Sequence, residues 1–200
     1  NLTAGTPTSG PGGTPPAGIP GSMQIADGWG TIDTISGIYV IDDSNHDDFI
    51  YVDGSYMSVS RDSIFNFIEV RLSGGNDFVD FTGMTGQARV GWTAADDGVN
   101  VTIDADGNGT ATDANTRDPL DIDPDSGVAY SLQDDIGTDT FIGATVLRGS
   151  YYNDTLDGSA STQGVQFRGA GGNDTIIGGT GTDRVEFADA ASGVTVNLSL

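Results

Sequence analysis

Residues 169–186 read GAGGNDTIIGGTGTDRVE, two nine-residue units set end to end. In each unit glycines precede one aspartate (Asp174, Asp183), and an apolar residue follows two places later (Ile176, Val185). Glycine permits tight turns and close backbone approach, and a short strand after the turn points one apolar side chain inward. A turn and a strand repeated at a fixed short period make a coil, so the pattern favours a solenoid over an ordinary globular domain.

Further copies lie outside this pair. GSYYNDTLD at 149–157 repeats the unit with Asp154 and Leu156, and weaker copies are GTDTFIG around Asp139 and SGGNDFVDF around Asp77. A longer repeat runs above the short one. VGWTAADDGVNVTI at 90–103 aligns without gaps to VEFADAASGVTVNL at 185–198, matching Trp92 with Phe187, Gly98 with Gly193, Val101 with Val196 and Ile103 with Leu198. GGND at 74–77 matches GGND at 171–174, and the stretch 30–55 resembles 137–159 given one inserted residue. The expected organisation is a Pro/Gly/Thr-rich extended segment at 1–25, a first solenoid module at 26–110, an acidic connection at 111–129, and a second module at 130–200 that belongs to a longer array.

Composition agrees with an all-β reading. The chain has 31 glycines among its 200 residues, and aspartate outnumbers glutamate 27 to 2. Aspartate and glycine belong to turns and ligand loops, glutamate to helices. The formal net charge of −22 excludes nucleic acid as an electrostatic partner and calls for cationic compensation. All seven basic residues are arginine, and cysteine is absent, which removes disulfides, thiolate zinc and thiol catalysis. No apolar run approaches the roughly 18 residues of a membrane-spanning helix, so membrane insertion is not expected.

The unit G-G-x-G-x-D-x-U-x, matched by residues 178–186 at every specified position, resembles the nonapeptide of RTX (repeats-in-toxin) calcium-binding proteins. The resemblance implies a parallel β-roll with Ca2+ held between loops one turn, about 18 residues, apart. Stacked loops offer carbonyl oxygens plus a carboxylate, and a hard cation takes six to eight such oxygens. Candidate ligand positions in the second module are Gly149, Tyr151, Asp154, Gly169, Gly171, Asp174, Gly178, Thr180, Gly181 and Asp183, with Asp139 and Asp77 in the weaker copies. Asp154 and Asp174 are expected on one edge of the roll, and Asp183 opposite Gln163 on the other. The competing reading is that the Gly-Asn-Asp turns simply end strands, each aspartate bonding its own backbone.

Other stretches are read alongside. DADGNGTATDAN at 104–115 has the D-x-D-x-N-G opening of an EF-hand loop, making Asp104, Asp106 and Asn108 candidate ligands, but Asn115 stands where glutamate is needed and no helices flank it. A solvated acidic turn is the alternative. DIDPDSG at 121–127 is a weaker candidate of the same kind. In SVSRDSIFNFIEVRL at 58–72 the alternation of Ile68, Val70 and Leu72 with Glu69 and Arg71 predicts a strand, against a helix using Ile64, Phe65, Ile68 and Leu72. The lone histidine, His46, reads as a surface loop residue, lysine is absent, and no catalytic set is expected.

The functional expectation is a non-enzymatic, calcium-stabilised structural module of a secreted or cell-surface bacterial protein, such as a surface layer, adhesin or matrix fibre. Self-association is expected, with residues 1–22 docking on a neighbouring protomer. Alternatives are a secretion and folding module attached to an enzyme or toxin, and a glycan-binding module using Tyr51, Tyr56, Tyr151 and Tyr152.

Overall fold

The computed structural model describes residues 23–26, 32–35, 38–52, 67–114 and 136–196. These residues form an all-β fold of mostly parallel strands. Among them no helix forms, so none is long and apolar enough to cross a membrane. The strands are β1 (Met23–Ala26), β2 (Ile32–Ile35), β3 (Val40–Asp42), β4 (Phe49–Tyr51), β5 (Phe67–Arg71), β6 (Phe78–Asp80), β7 (Gln87–Gly91), β8 (Val99–Ile103), β9 (Gly109–Asp113), β10 (Thr138–Ile142), β11 (Val146–Arg148), β12 (Thr155–Asp157), β13 (Gln166–Arg168), β14 (Thr175–Ile177) and β15 (Arg184–Val185).

Two sheets make the roll. Six strands in the order β15-β13-β11-β7-β5-β3 form a fully parallel sheet, and seven in the order β14-β12-β8-β9-β10-β6-β4 form the opposing one. Successive strands alternate between the sheets over most of the chain, each turn laying one strand in each. The interruption is β9, antiparallel to both β8 and β10. Strand β8 therefore sits beyond β9 and β10 and pairs with β12, while β10 returns to pair with β6. The sequence repeat has a structural counterpart: β11 to β15 reproduce the order of β3 to β7. Strands β1 and β2 form a separate antiparallel pair.

The core lies between the sheets. An inward row crosses the six-stranded sheet through Ile41, Val70, Val90, Leu147, Phe167 and Val185. Trp92, Phe81, Phe141 and Phe167 are the bulkiest fully buried side chains. The segment expected as a strand is one: β5 buries Ile68 and Val70, and Leu72 follows them into the core. Residues 58–66 lie outside the described residues.

Glu69 departs from simple alternation, since it is buried although it points away from the core. Arg71 Nε and Arg148 Nη1 lie 3.0 and 2.9 Å from its Oε1, and Arg89 approaches Oε2 at 3.7 Å. Burial works against this carboxylate, but hydrogen bonds from Arg71 and Arg148 outweigh it and hold its pKa below the ordinary value. Arg89 also lies 3.9 Å over the Phe67 ring. Glu186 receives Arg168 at 2.6 Å further along the same face. Both glutamates of the chain thus serve one arginine-lined outer face, where planar guanidinium groups can bridge successive strands.

Candidate metal centre

The edge leading into the seven-stranded sheet carries a ladder of aspartates. The N–H of Asp48 donates to Asp77 Oδ1 (2.8 Å), and that of Asp77 to Asp139 Oδ1 (3.0 Å). Past the β9 insertion the pattern resumes: the N–H of Val99 donates to Asp154 Oδ1 (2.8 Å), and that of Asp154 to Asp174 Oδ1 (3.2 Å). Each carboxylate takes the backbone donor of the preceding turn, so the ladder joins coils. Asp154 and Asp174 therefore share an edge, as their spacing predicts.

Within a loop the same aspartate closes the turn. Ser150 donates its N–H to Asp154 Oδ2 (2.8 Å) and its hydroxyl to Oδ1 (2.7 Å), and the N–H of Gly179 donates to Asp183 Oδ2 (2.8 Å). Five residues before each aspartate stands a glycine, Gly149, Gly169 or Gly178. A Cβ on any of these would meet that loop's own carboxylate, Asp154, Asp174 or Asp183. The later glycines serve stacking: Cβ atoms on Gly171 and Gly181 would meet the carbonyls of Tyr151 and Gln163 in the adjacent turn. Gly172 combines φ +90° with a similarly close approach to Tyr152. Thr180 is exposed, its N–H donating to the Ser161 carbonyl at 3.0 Å.

Asp183 differs from its expected register. Strand β15 pairs with β13 through Gln166↔Arg184, and the N–H of Val165 donates to Asp183 Oδ1 (3.0 Å). Its partner position is Val165, 18 residues back, because two extra residues in 158–163 are accommodated before β13. Asp139 lies inside β10 rather than in a turn. Both its oxygens are engaged, Oδ1 by Asp77 and Oδ2 by the Trp92 indole N–H at 2.7 Å.

Asp104, Asp106 and Asn108 form the tight turn of the β8–β9 hairpin. Asp104 Oδ1 accepts the N–H groups of Asp106 (2.8 Å) and Asn108 (2.9 Å), and the bond from Asn108 leads in holding this carboxyl below its ordinary pKa. This is the geometry of an aspartate-closed turn. The DIDPDSG cluster lies outside the described residues.

The convergence of carboxylates that the motif reading missed is at the first loop. Asp43, Asp48 and Asp77 each offer an oxygen, all within 4.8 Å of one another. Asp43 stands five residues before Asp48, in the slot occupied by Gly149, Gly169 and Gly178 in the regular loops. Its Oδ1 accepts the Ser73 hydroxyl. Ser44 gives its N–H (2.9 Å) and hydroxyl (2.7 Å) to Asp48 Oδ2. Asp77 is 2% exposed, and its Oδ2, like Asp43 Oδ2, is buried without a hydrogen-bond partner. Gly75, with φ +128°, lets this loop lie against the His46 carbonyl, where a Cβ would come within 2.7 Å of the oxygen. The available sequence signal was the acidic run DDSNHDD at 42–48, in which only His46 was singled out.

Electrostatics set these carboxyls apart. Burial, reinforced by the neighbouring Asp139 and Asp43 charges, pushes Asp77 up to about 9 against the pull of the Asp48 N–H. Burial also raises Asp139 to about 7 and Asp43 to about 6. Asp154 is pushed to about 6 and Asp174 upward, again chiefly by burial. Carboxylates this close and this dry cannot all remain charged without a proton or a cation. The donor set fits a hard cation: three carboxylates supply oxygen only, and two of the oxygens lack any other partner.

Comparison with protein-family models, with curated proteins and with solved structures finds no match for this chain.

Proposed function

We propose that this chain is a calcium-stabilised structural module of a secreted or cell-surface protein, of the RTX kind its nonapeptides resemble. One observation carries the reading: Asp43, Asp48 and Asp77 gather within 4.8 Å while Asp43 Oδ2 and Asp77 Oδ2 are buried and unclaimed. Asp43, Asp48 and Asp77 would hold the ion, which when bound supplies positive charge to join two successive coils. The net charge of −22 supports the same reading, since a cation relieves self-repulsion that opposes compaction. Millimolar calcium outside a cell suffices for sites of the affinity typical of extracellular modules. The aspartate ladder contributes separately, through backbone N–H bonds that need no metal.

Calcium titration of the chelator-treated chain, followed by far-UV circular dichroism and thermal melting with magnesium as control, tests this. The reading expects a calcium-specific gain of β-structure or of melting temperature. A spectrum and melting point indifferent to calcium would reduce the carboxylate cluster to a proton-sharing structural feature.

A further inference from the structure

The repeat that begins at Val90 is buried in one place and bare in the other. In the first copy Trp92, Val99 and Val101 are almost wholly inaccessible. In the second their counterparts Phe187, Val194 and Val196 are 49%, 47% and 60% exposed. The sequences match without gaps, so the difference lies in what covers them. Over the first copy, β9 and β10 insert between β6 and β8, and β12 then packs on β8. Over the second, β14 and β15 are the last strands of their sheets among the described residues.

The exposed row has a counterpart in the first described strands. The match of 30–55 to 137–159 places β2 on β10, with Asp33, Thr34 and Ile35 on Asp139, Thr140 and Phe141. Strand β1 pairs antiparallel with β2, as β9 does with β10. Ile25 stands opposite Asp33 and Gln24 opposite Thr34 in one pair, Ala111 opposite Asp139 and Thr110 opposite Thr140 in the other. Yet β1 and β2 form a sheet of their own. The pair resembles the antiparallel β9–β10 pair, and among the described residues no other strand flanks it.

We propose that the β1–β2 hairpin of a second copy of this chain docks against β14, forming a head-to-tail junction that repeats the one between the two modules. Strand β2 of the incoming copy lies parallel to β14 as β10 lies parallel to β6, which sets Thr34 beside Thr175. Asp33 takes the register position from which Asp139 accepts the Asp77 N–H, now facing the N–H of Asp174. Residues 193–196 then pack between β1 and β4 of the second copy, as β8 packs between β9 and β12. In the other sheet β3 follows β15, bringing Ile41 beside Val185 as Leu147 stands beside Val90. The junction buries Phe187, Val194 and Val196 and closes both sheet edges, which otherwise expose backbone donors and acceptors. Because two different surfaces meet, the contact is heterologous and propagates.

The inference goes beyond the proposed function, gives a form to the self-association expected from the sequence, and does not depend on calcium. Native cysteine is absent, so single cysteines report contacts cleanly. Thr34→Cys and Thr175→Cys chains, mixed under mild oxidation, are expected to give the mixed disulfide dimer in preference to either symmetric one. Sedimentation of the unmodified chain should show mass increasing with concentration. No mixed dimer, mainly symmetric dimers, or a strictly monomeric chain would overturn the junction. Both measurements are made in calcium and in chelator: junction failure beside a calcium-dependent fold leaves the calcium reading standing, and cross-linking of a calcium-indifferent fold does the reverse.

Discussion

The loops 43–48 and 149–154 share a serine–aspartate turn but open on different residues. Both carry serine in the second place and aspartate in the sixth, and both serines give N–H and hydroxyl to that aspartate. Gly149 opens one loop, leaving room for the Asp154 carboxylate to sit back and take the Val99 N–H as well. Asp43 opens the other and adds a second carboxylate beside Asp48 and Asp77. The loop closer to the nonapeptide satisfies its aspartate with hydrogen bonds; the more divergent loop concentrates uncompensated charge. Match to a motif and density of carboxylate oxygens are therefore separate properties, because the latter depends on which side chains the stacking brings together.

This contrast predicts distinct responses. The largest expected effect is Asp154→Ala, which strips three donors of a buried acceptor and should cost about 3 kcal/mol, at about 1 kcal/mol net for each hydrogen bond lost. Denaturant titration should find the same loss in calcium and in chelator. A loss confined to calcium would merge the two loops into one type of site.

Next is Asp77→Asn, which should remove the calcium-dependent part of stability. At calcium a hundred-fold above its Kd that part is about 2.7 kcal/mol, or roughly 5–11 °C in Tm for a chain of this size. Thermal melts with and without calcium check it. Asp43→Gly restores the regular loop opening and should likewise erase the calcium increment while leaving the chelator melt the same or higher.

Proton linkage sharpens the contrast. Asp43, Asp77, Asp139 and Asp154 have folded-state pKa values of about 6, 9, 7 and 6, above the ordinary 3.8. The metal-free fold consequently binds more protons than the unfolded chain over this range, and its stability falls as pH rises from about 4 through these values. Melting in chelator should be higher at pH 5 than at pH 8, with calcium flattening the slope at the Asp43–Asp77 cluster. A chelator melt that rises with pH would contradict the burial assigned to these groups. The smallest effect is at Asp189→Ala, which removes an exposed partner 3.2 Å from Arg148 and should cost under about 1 kcal/mol. Asp174→Ala should weaken folding more than this, because it withdraws the acceptor of the Asp154 N–H.

Much of the fold was legible in the sequence. Gly-Asn-Asp turns and the alternation at Ile68, Val70 and Leu72 specify short strands, and the long repeat anticipates the matching strand orders of β3–β7 and β11–β15. The antiparallel β9 was not legible, since GTATD has no apolar pattern and its place is set by Gly109 making room for the Phe141 ring. Nor was burial of Glu69, whose arginines come from β5, β7 and β11 and meet only when the strands stack. The aspartate edge was read correctly at Asp154 and Asp174, whereas the Asp43 contribution depends on a contact across 34 residues of sequence.

Equilibrium dialysis of the wild-type and Asp77→Asn chains against radiolabelled calcium tests the central claim most directly. The account predicts that the wild-type chain binds one more calcium than the variant while both retain β-structure in circular dichroism. Equal binding by two equally folded chains would contradict a cation site at Asp43, Asp48 and Asp77.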